Sequence, residues 1–189
     1  MKVIQLHQEE KQLIMLAVEN NRQAQQQIYA KFSSKMLSVC RQYIKDIHHA
    51  EDVMITGFMK VFTNLKNFEH KGSFEGWIRR IMVYECIDFL RVKKNNVNHK
   101  DIEDITVSEN ESVYEMEDFS VDDIQNMIDN LPDGYKMVFN LYAIEGYKHQ
   151  EIAEMLKISE GTSKSQLSNA RKLLQQQITE LKKKLNGTK

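Results

Sequence analysis

Residues 72–96 read GSFEGWIRRIMVYECIDFLRVKKNN, a run that interleaves aromatic and basic side chains within one helical pattern. At 3.6 residues per turn, Phe74, Ile78, Ile81, Met82 and Phe89 share one broad face, the expected buried side. Trp77, Arg80, Tyr84 and Arg91, at i, i+3, i+7 and i+14, form a second stripe beside it. Two flat rings and two guanidinium groups on one edge suit nucleic acid. Unstacked bases lie on aromatic faces at about 1–3 kcal/mol each, and Arg and Lys neutralise the backbone. A core helix whose Arg residues only solvate its rim accounts for the same segment, so the surrounding chain must decide.

The composition around this segment is helical. Among 189 residues there are seven Gly and one Pro, Pro132, with ten Met and abundant Gln, Leu, Lys and Glu, and no period-2 strand pattern. That length holds one ordinary domain or two small helical ones, each with a small core. No apolar run approaches the roughly 20 residues of a membrane span. The N-terminal MKVIQLHQEEKQ lacks the apolar core of a signal peptide, so a cytoplasmic product without membrane insertion is expected. Cys40 and Cys86 have no C-x-x-C or His/Cys spacing around them and read as small buried hydrophobes. Neither a metal nor a cofactor is expected.

A net charge of −1 conceals a partition along the chain. Residues 66–100 carry eight Lys or Arg against four Asp or Glu, and residues 157–189 carry eight against two. Residues 101–123 hold ten Asp or Glu and no Lys or Arg. An acidic block of this kind repels itself and resists collapse, which marks a flexible linker over 98–121 between basic modules at 1–97 and 122–189. The block reads equally as a solvated spacer or as a mimic of nucleic acid.

Within the first module, helical periodicity covers a run from near Glu9, a second from Gln23 to Phe32, a third from Ser34 to Ile44 and a fourth from His49 to Leu65. Asp46 and His48 are start signals for the fourth, and Ser73 is the expected N-cap of the aromatic-basic helix. In the second module, Val121–Asn130 is a short amphipathic helix and Pro132 takes the first position of the next, which runs to about Tyr142. A helix at His149–Leu156, a turn at Lys157–Ser159 and a last helix from about Thr162 make a helix-turn-helix candidate. In the last helix Ser163, Leu167, Ala170 and Leu174 form an inward face toward Ile152, Ala153 and Leu156. Thr162 opens the helix, Lys164, Ser165, Ser168 and Lys172 face away, Asn169 borders them, and Arg171 flanks them as a phosphate contact. Short polar and basic side chains let such a helix enter a major groove. No carboxylate stands between Gly161 and Thr179, although the chain has 27.

Three stretches together resemble bacterial sigma factors of the sigma-70 family, most closely the extracytoplasmic-function (ECF) group. They are AEDVMITGFMKVFTNLKNF at 50–68, GSFEGWIRRIMVYECIDFLR at 72–91 and LPDGYKMVFNLYAIEGYKHQEIAEMLKISEGTSKSQLSNARKLL at 131–174. With their flanks they cover most of residues 22–177. The resemblance implies an all-α protein of two small helical domains, region 2-like and region 4-like, that binds core RNA polymerase at its clamp and flap and directs it to promoter DNA. It implies no enzymatic centre and an anti-sigma partner. Glu51, Asp52, Ile55, Phe58 and Met59 would contact polymerase. Phe74, Trp77, Arg80, Tyr84, Arg91, Lys93 and Lys94 would bind and melt the minus-ten element. Thr162, Lys164, Ser165, Ser168, Asn169, Arg171 and Lys172 would read the minus-thirty-five element.

Five positions depart from the family pattern. Ile55-Thr56 replaces a frequent Gln-Glu, Tyr84 a common Asn, Ser163 an apolar residue and Lys157 a frequent turn Gly. Tyr84 would exchange hydrogen bonding for stacking, and Ser163 is expected to loosen the recognition helix. Two competitors are a conventional operator-binding regulator and a metal-dependent hydrolase built on His48, His49 and Glu51. The first leaves the aromatic-basic stripe unexplained. The second lacks an H-E-x-x-H pattern or a Gly-rich phosphate loop.

Overall fold

Most of the described helices start where a short polar side chain takes over an orphaned backbone donor. The computed structural model describes residues 2–96 and 120–186, with side chains over 9–93 and 120–183. Helix α1 spans Lys2–Val18, α2 Arg22–Tyr43, α3 Ile47–Asn64 and α4 Phe74–Asn96, with a single 3-10 turn at Leu65–Asn67. Asn21 Oδ1 accepts from Ala24 N at 3.1 Å to open α2, and Asp46 Oδ1 accepts from His49 N at 2.9 Å to open α3. Ser73 Oγ accepts from Gly76 N at 3.0 Å at the head of α4.

Where two separate runs are expected over Gln23–Phe32 and Ser34–Ile44, α2 is one unbroken helix. Ala24, Ile28, Phe32, Met36, Val39 and Cys40 form a single buried stripe that crosses the Ser33-Ser34 pair. Packing along that stripe outweighs the weak helix preference of two serines. Helix α4 packs on α2 and α3, so its buried face is wider than the period alone indicates. Ile78, Met82, Val83, Cys86 and Ile87 are buried, while Ile81 and Phe89 are only half-buried. Helices α3 and α4 approach closely at Gly57, where a Cβ would overlap the Met82 sulfur. A Lys60–Glu85 ion pair joins the same two helices beside that crossing.

The second unit contains α5 (Val121–Asp129), α6 (Asp133–Phe139), α7 (His149–Leu156) and α8 (Glu160–Asn186). Ser120 and Asp123 form a reciprocal capping box at the start of α5. Pro132 is the residue before α6 rather than its first member. Beyond α6 the chain continues as one π-helical turn, Asn140–Ile144, a widened helix that the sequence pattern does not announce. Helices α6 and α7 both pack on α8. Val138, Leu141, Ile152, Leu167 and Ala170 supply the fully or nearly fully buried core between them. The α7–α8 turn is set by Lys157, whose φ of 56° and ψ of 45° place it in the left-handed region. Glycine reaches that conformation at least cost, and a lysine there is strained by about 1–2 kcal/mol.

The described residues therefore form an all-α protein with no strand, divided into two compact units at Asn96/Val97. All of the acidic segment expected at 98–121 except Ser120 and Val121 lies outside the described residues.

Candidate nucleic-acid interface

The aromatic-basic stripe of α4 is built on a buried ring. Phe74, expected to touch DNA, is only 2% exposed and packs within the core instead. Its ring meets Phe32 edge-on at 5.7 Å and Phe68 at 5.1 Å. On top of that base lies Trp77, nearly parallel to Phe74 at 5.9 Å and 15°, and 5.5 Å from Phe68. Trp77 is half-buried, so Phe74 and Phe68 fix the plane of its ring while part of the indole stays open. One turn on, Arg80 is exposed and its guanidinium carbon stands 5.9 Å over the ring of Tyr84, itself 37% exposed. A cation over a ring at this distance attracts by about 0.5–1 kcal/mol at an exposed site. Arg91 is half-buried and donates to Asp88 at 2.9 Å, a surface pair of small net worth. Lys93 is exposed, and the side chain of Lys94 lies outside the described residues.

On α3 the sequence assignment needs one correction of the same kind. Phe58 is 2% exposed, with its ring 4.8 Å from Tyr29 and 6.1 Å from Phe62, so it holds α3 to the core rather than meeting a partner. Around it the other expected residues do face outward. Ile55 is 49% and Met59 66% exposed, Asp52 is exposed and Glu51 half-buried. An apolar strip edged by carboxylates results. At its N-terminal end the backbone N–H of His49 holds the Asp46 carboxyl below its ordinary pKa, with the nearby His49 and His48 rings adding to the effect. Among the described residues, no three His, Cys, Asp or Glu side chains are grouped to hold a metal.

On α8, Lys164, Ser165, Ser168 and Arg171 are exposed, and Thr162, Asn169 and Lys172 are half-buried. Several of these side chains already have partners. Lys164 pairs with Glu160 at 2.7 Å, and its hydrogen bond holds that carboxyl below its ordinary pKa. Thr162 shares a hydroxyl–hydroxyl bond of 2.8 Å with Ser159, and Ser165 Oγ donates to the Thr162 carbonyl at 3.0 Å. Asn169 Nδ2 donates to the Tyr135 hydroxyl at 3.3 Å, which ties that amide to α6.

Ser163 does not loosen this helix. It is completely buried, and its Oγ lies 2.9 Å from His149 Nδ1, a hydrogen bond that replaces the apolar contact of a larger side chain. His149 stacks on Tyr142 at 4.7 Å and 23°, and the Arg171 guanidinium carbon stands 5.8 Å over the same Tyr142 ring. Neither Tyr142 nor His149 is singled out by sequence, because the π-helical turn that brings Tyr142 to α8 shifts its face away from the α-helical period. Among the described residues no helix is long and apolar enough to cross a membrane.

Two family models match this chain: "Sigma-70 region 2" over residues 28–96 and "Sigma-70, region 4" over residues 121–174. Together they span more than half of it. An ECF RNA polymerase sigma factor of Bacillus subtilis, SigW, is 29% identical over 163 residues, 79% of this chain and 86% of the relative. An ECF RNA polymerase sigma-E factor of Haemophilus influenzae is 24% identical over 82% of this chain and 87% of its own length. A sigma-H factor of Pseudomonas aeruginosa is 23% identical over 92% of this chain and 96% of its own. Among solved structures, the sigma factor RpoE crystallised with the anti-sigma factor NepR from Bartonella quintana shares the fold. Its TM-score is 0.52 at 18% identity, over 82% of this chain and 96% of that one. With region 2 carried by α2–α4 and region 4 by α5–α8, this chain belongs to the sigma-70 family of RNA polymerase sigma factors, in its extracytoplasmic-function group.

Proposed function

We propose that the residues divide the work of a sigma factor between three helix faces. As a member of its family the protein directs promoter-specific transcription initiation by RNA polymerase. Helix α3 engages core polymerase with Asp52, Ile55 and Met59, beside Glu51. Helix α4 captures the minus-ten element with Trp77, Arg80 and Tyr84, while Arg91, Lys93 and Lys94 hold adjacent phosphates. Helix α8 reads the minus-thirty-five element with Lys164, Ser165, Ser168 and the free edge of Asn169, and Thr162, Arg171 and Lys172 meet the backbone. The protein is a non-catalytic, cytoplasmic factor without metal or cofactor, it has separate domains at 1–97 and 122–189, and it is held inactive by an anti-sigma partner.

The observation that carries this reading is the ring arrangement on α4. A fixed indole plane and a second exposed ring with a cation over it are surfaces on which melted bases can stack, and trapping unpaired bases favours an open duplex. The region 2 match over α2–α4 supports a sigma factor over an operator-binding regulator, whose N-terminal half would sense a signal or dimerise.

Open-complex formation on a promoter with reconstituted holoenzyme tests the assignment. Trp77→Ala and Tyr84→Ala should each slow bubble opening by about 5- to 160-fold, the equivalent of one lost base stack, while core polymerase binding stays intact. Unchanged permanganate reactivity of the bubble in both variants would count against it.

A further inference from the structure

Arg171 is exposed on α8, yet its guanidinium is not left to wander. Its central carbon stands 5.8 Å over the Tyr142 ring, and Tyr142 is in turn stacked on His149 at 4.7 Å and 23°. His149 is anchored through Nδ1 to the fully buried Ser163 of α8 at 2.9 Å. The ring is delivered by the π-helical turn Asn140–Ile144 and stays 37% exposed, so its burial in the core does not explain its placement. A guanidinium laid on a ring keeps its N–H edge outward, and that edge is what forks onto a phosphate.

We propose that Tyr142 is a positioning residue for promoter binding: with His149 and Ser163 behind it, its ring holds the Arg171 guanidinium ready for a DNA phosphate next to the minus-thirty-five element. The inference rests on the reading of α8 as the promoter-reading helix. It adds a residue that lies outside α8 and carries no charge. Pre-ordering one long side chain is worth about 0.5–1.5 kcal/mol, or about 2- to 12-fold in affinity.

The salt dependence of promoter binding by the reconstituted holoenzyme tests this, because each phosphate contact contributes about 0.9 to the slope of log affinity against log salt. Arg171→Ala should lower the magnitude of that slope by about one. Tyr142→Leu, which changes no charge, should lower it in the same direction and weaken binding by about 2- to 12-fold. Tyr142→Phe should restore both values, since only the ring is used. Combining Tyr142→Leu with Arg171→Ala should weaken binding no further than Arg171→Ala alone. Tyr142→Gln is a second ringless variant, should the leucine disturb folding. A wild-type salt slope in the ringless variants, or full additivity with Arg171→Ala, overturns the positioning role while leaving α8 as the reading helix. An unchanged slope in Arg171→Ala itself overturns the phosphate contact, and this inference with it.

Discussion

Phe74 and Phe58 illustrate what helical periodicity leaves undetermined at a single residue. On α4 and on α3, apolar and aromatic side chains occupy adjacent stripes, and the period gives the angle between stripes without saying which of them meets the core. Both phenylalanines lie on the buried side of that boundary, while Trp77, Tyr84 and Met59 lie on the open side. The two groups should separate cleanly by experiment. Phe58→Ala or Phe74→Ala should cost about 3–5 kcal/mol of stability, as emptied aromatic sites do. Met59→Ala should stay within about 0.5 kcal/mol of wild type yet weaken capture by core polymerase. Urea titration and a pull-down with core polymerase read the two effects, and a stable Phe58→Ala that fails to bind core would return Phe58 to the contact surface. Tyr84 was legible as an outward ring, but the cation over it was not: Arg80 is only four residues away on the same helix, and a sequence does not specify rotamers.

At the level of elements, starts were more legible than interiors. Asp46 and Ser73 sit where their helices begin because a short polar side chain next to an apolar-periodic run has one favourable use, namely to accept from an orphan N–H. The continuity of α2 and the π-helical turn after α6 depend on packing partners far along the chain, so local composition is silent about them. The cap at Asp46 makes a pH prediction. Its folded pKa is lowered, so its contribution to stability is present above the ordinary carboxylate range and is lost as pH falls through the lowered value. Asp46→Asn should keep a cap of similar geometry without the titration. Thermal midpoints of the two proteins should differ by a constant amount near neutral pH and converge below about pH 4; a gap that persists into acid would show that charge plays no part in this cap.

For the whole molecule, two units and their order were readable because charge, turns and breaks change together along the chain, whereas the wiring inside the second unit was not. Ser163 is satisfied by His149, a residue 14 positions away, and Asn169 gives one of its two amide hydrogens to Tyr135. Selection of promoters from a random library by the reconstituted holoenzyme tests the division of labour as a whole. Replacement of Lys164 or Ser165 should change which bases are chosen in the minus-thirty-five element, at about 1–3 kcal/mol per misread pair, whereas Arg171→Ala should weaken all promoters alike. Identical selected sequences from wild type and the Lys164 and Ser165 variants would place base readout elsewhere on α8.

The contact between α3 and α4 at Gly57 has a mechanical consequence. With the Met82 side chain seated directly against the Gly57 backbone and the Lys60–Glu85 pair beside it, the two helices are coupled at this crossing. Under the proposed assignment, whatever seats α3 on polymerase also aims the Trp77 and Tyr84 rings. The orientation of the melting surface would then be settled during folding, and the duplex would meet a tool already set at its working angle.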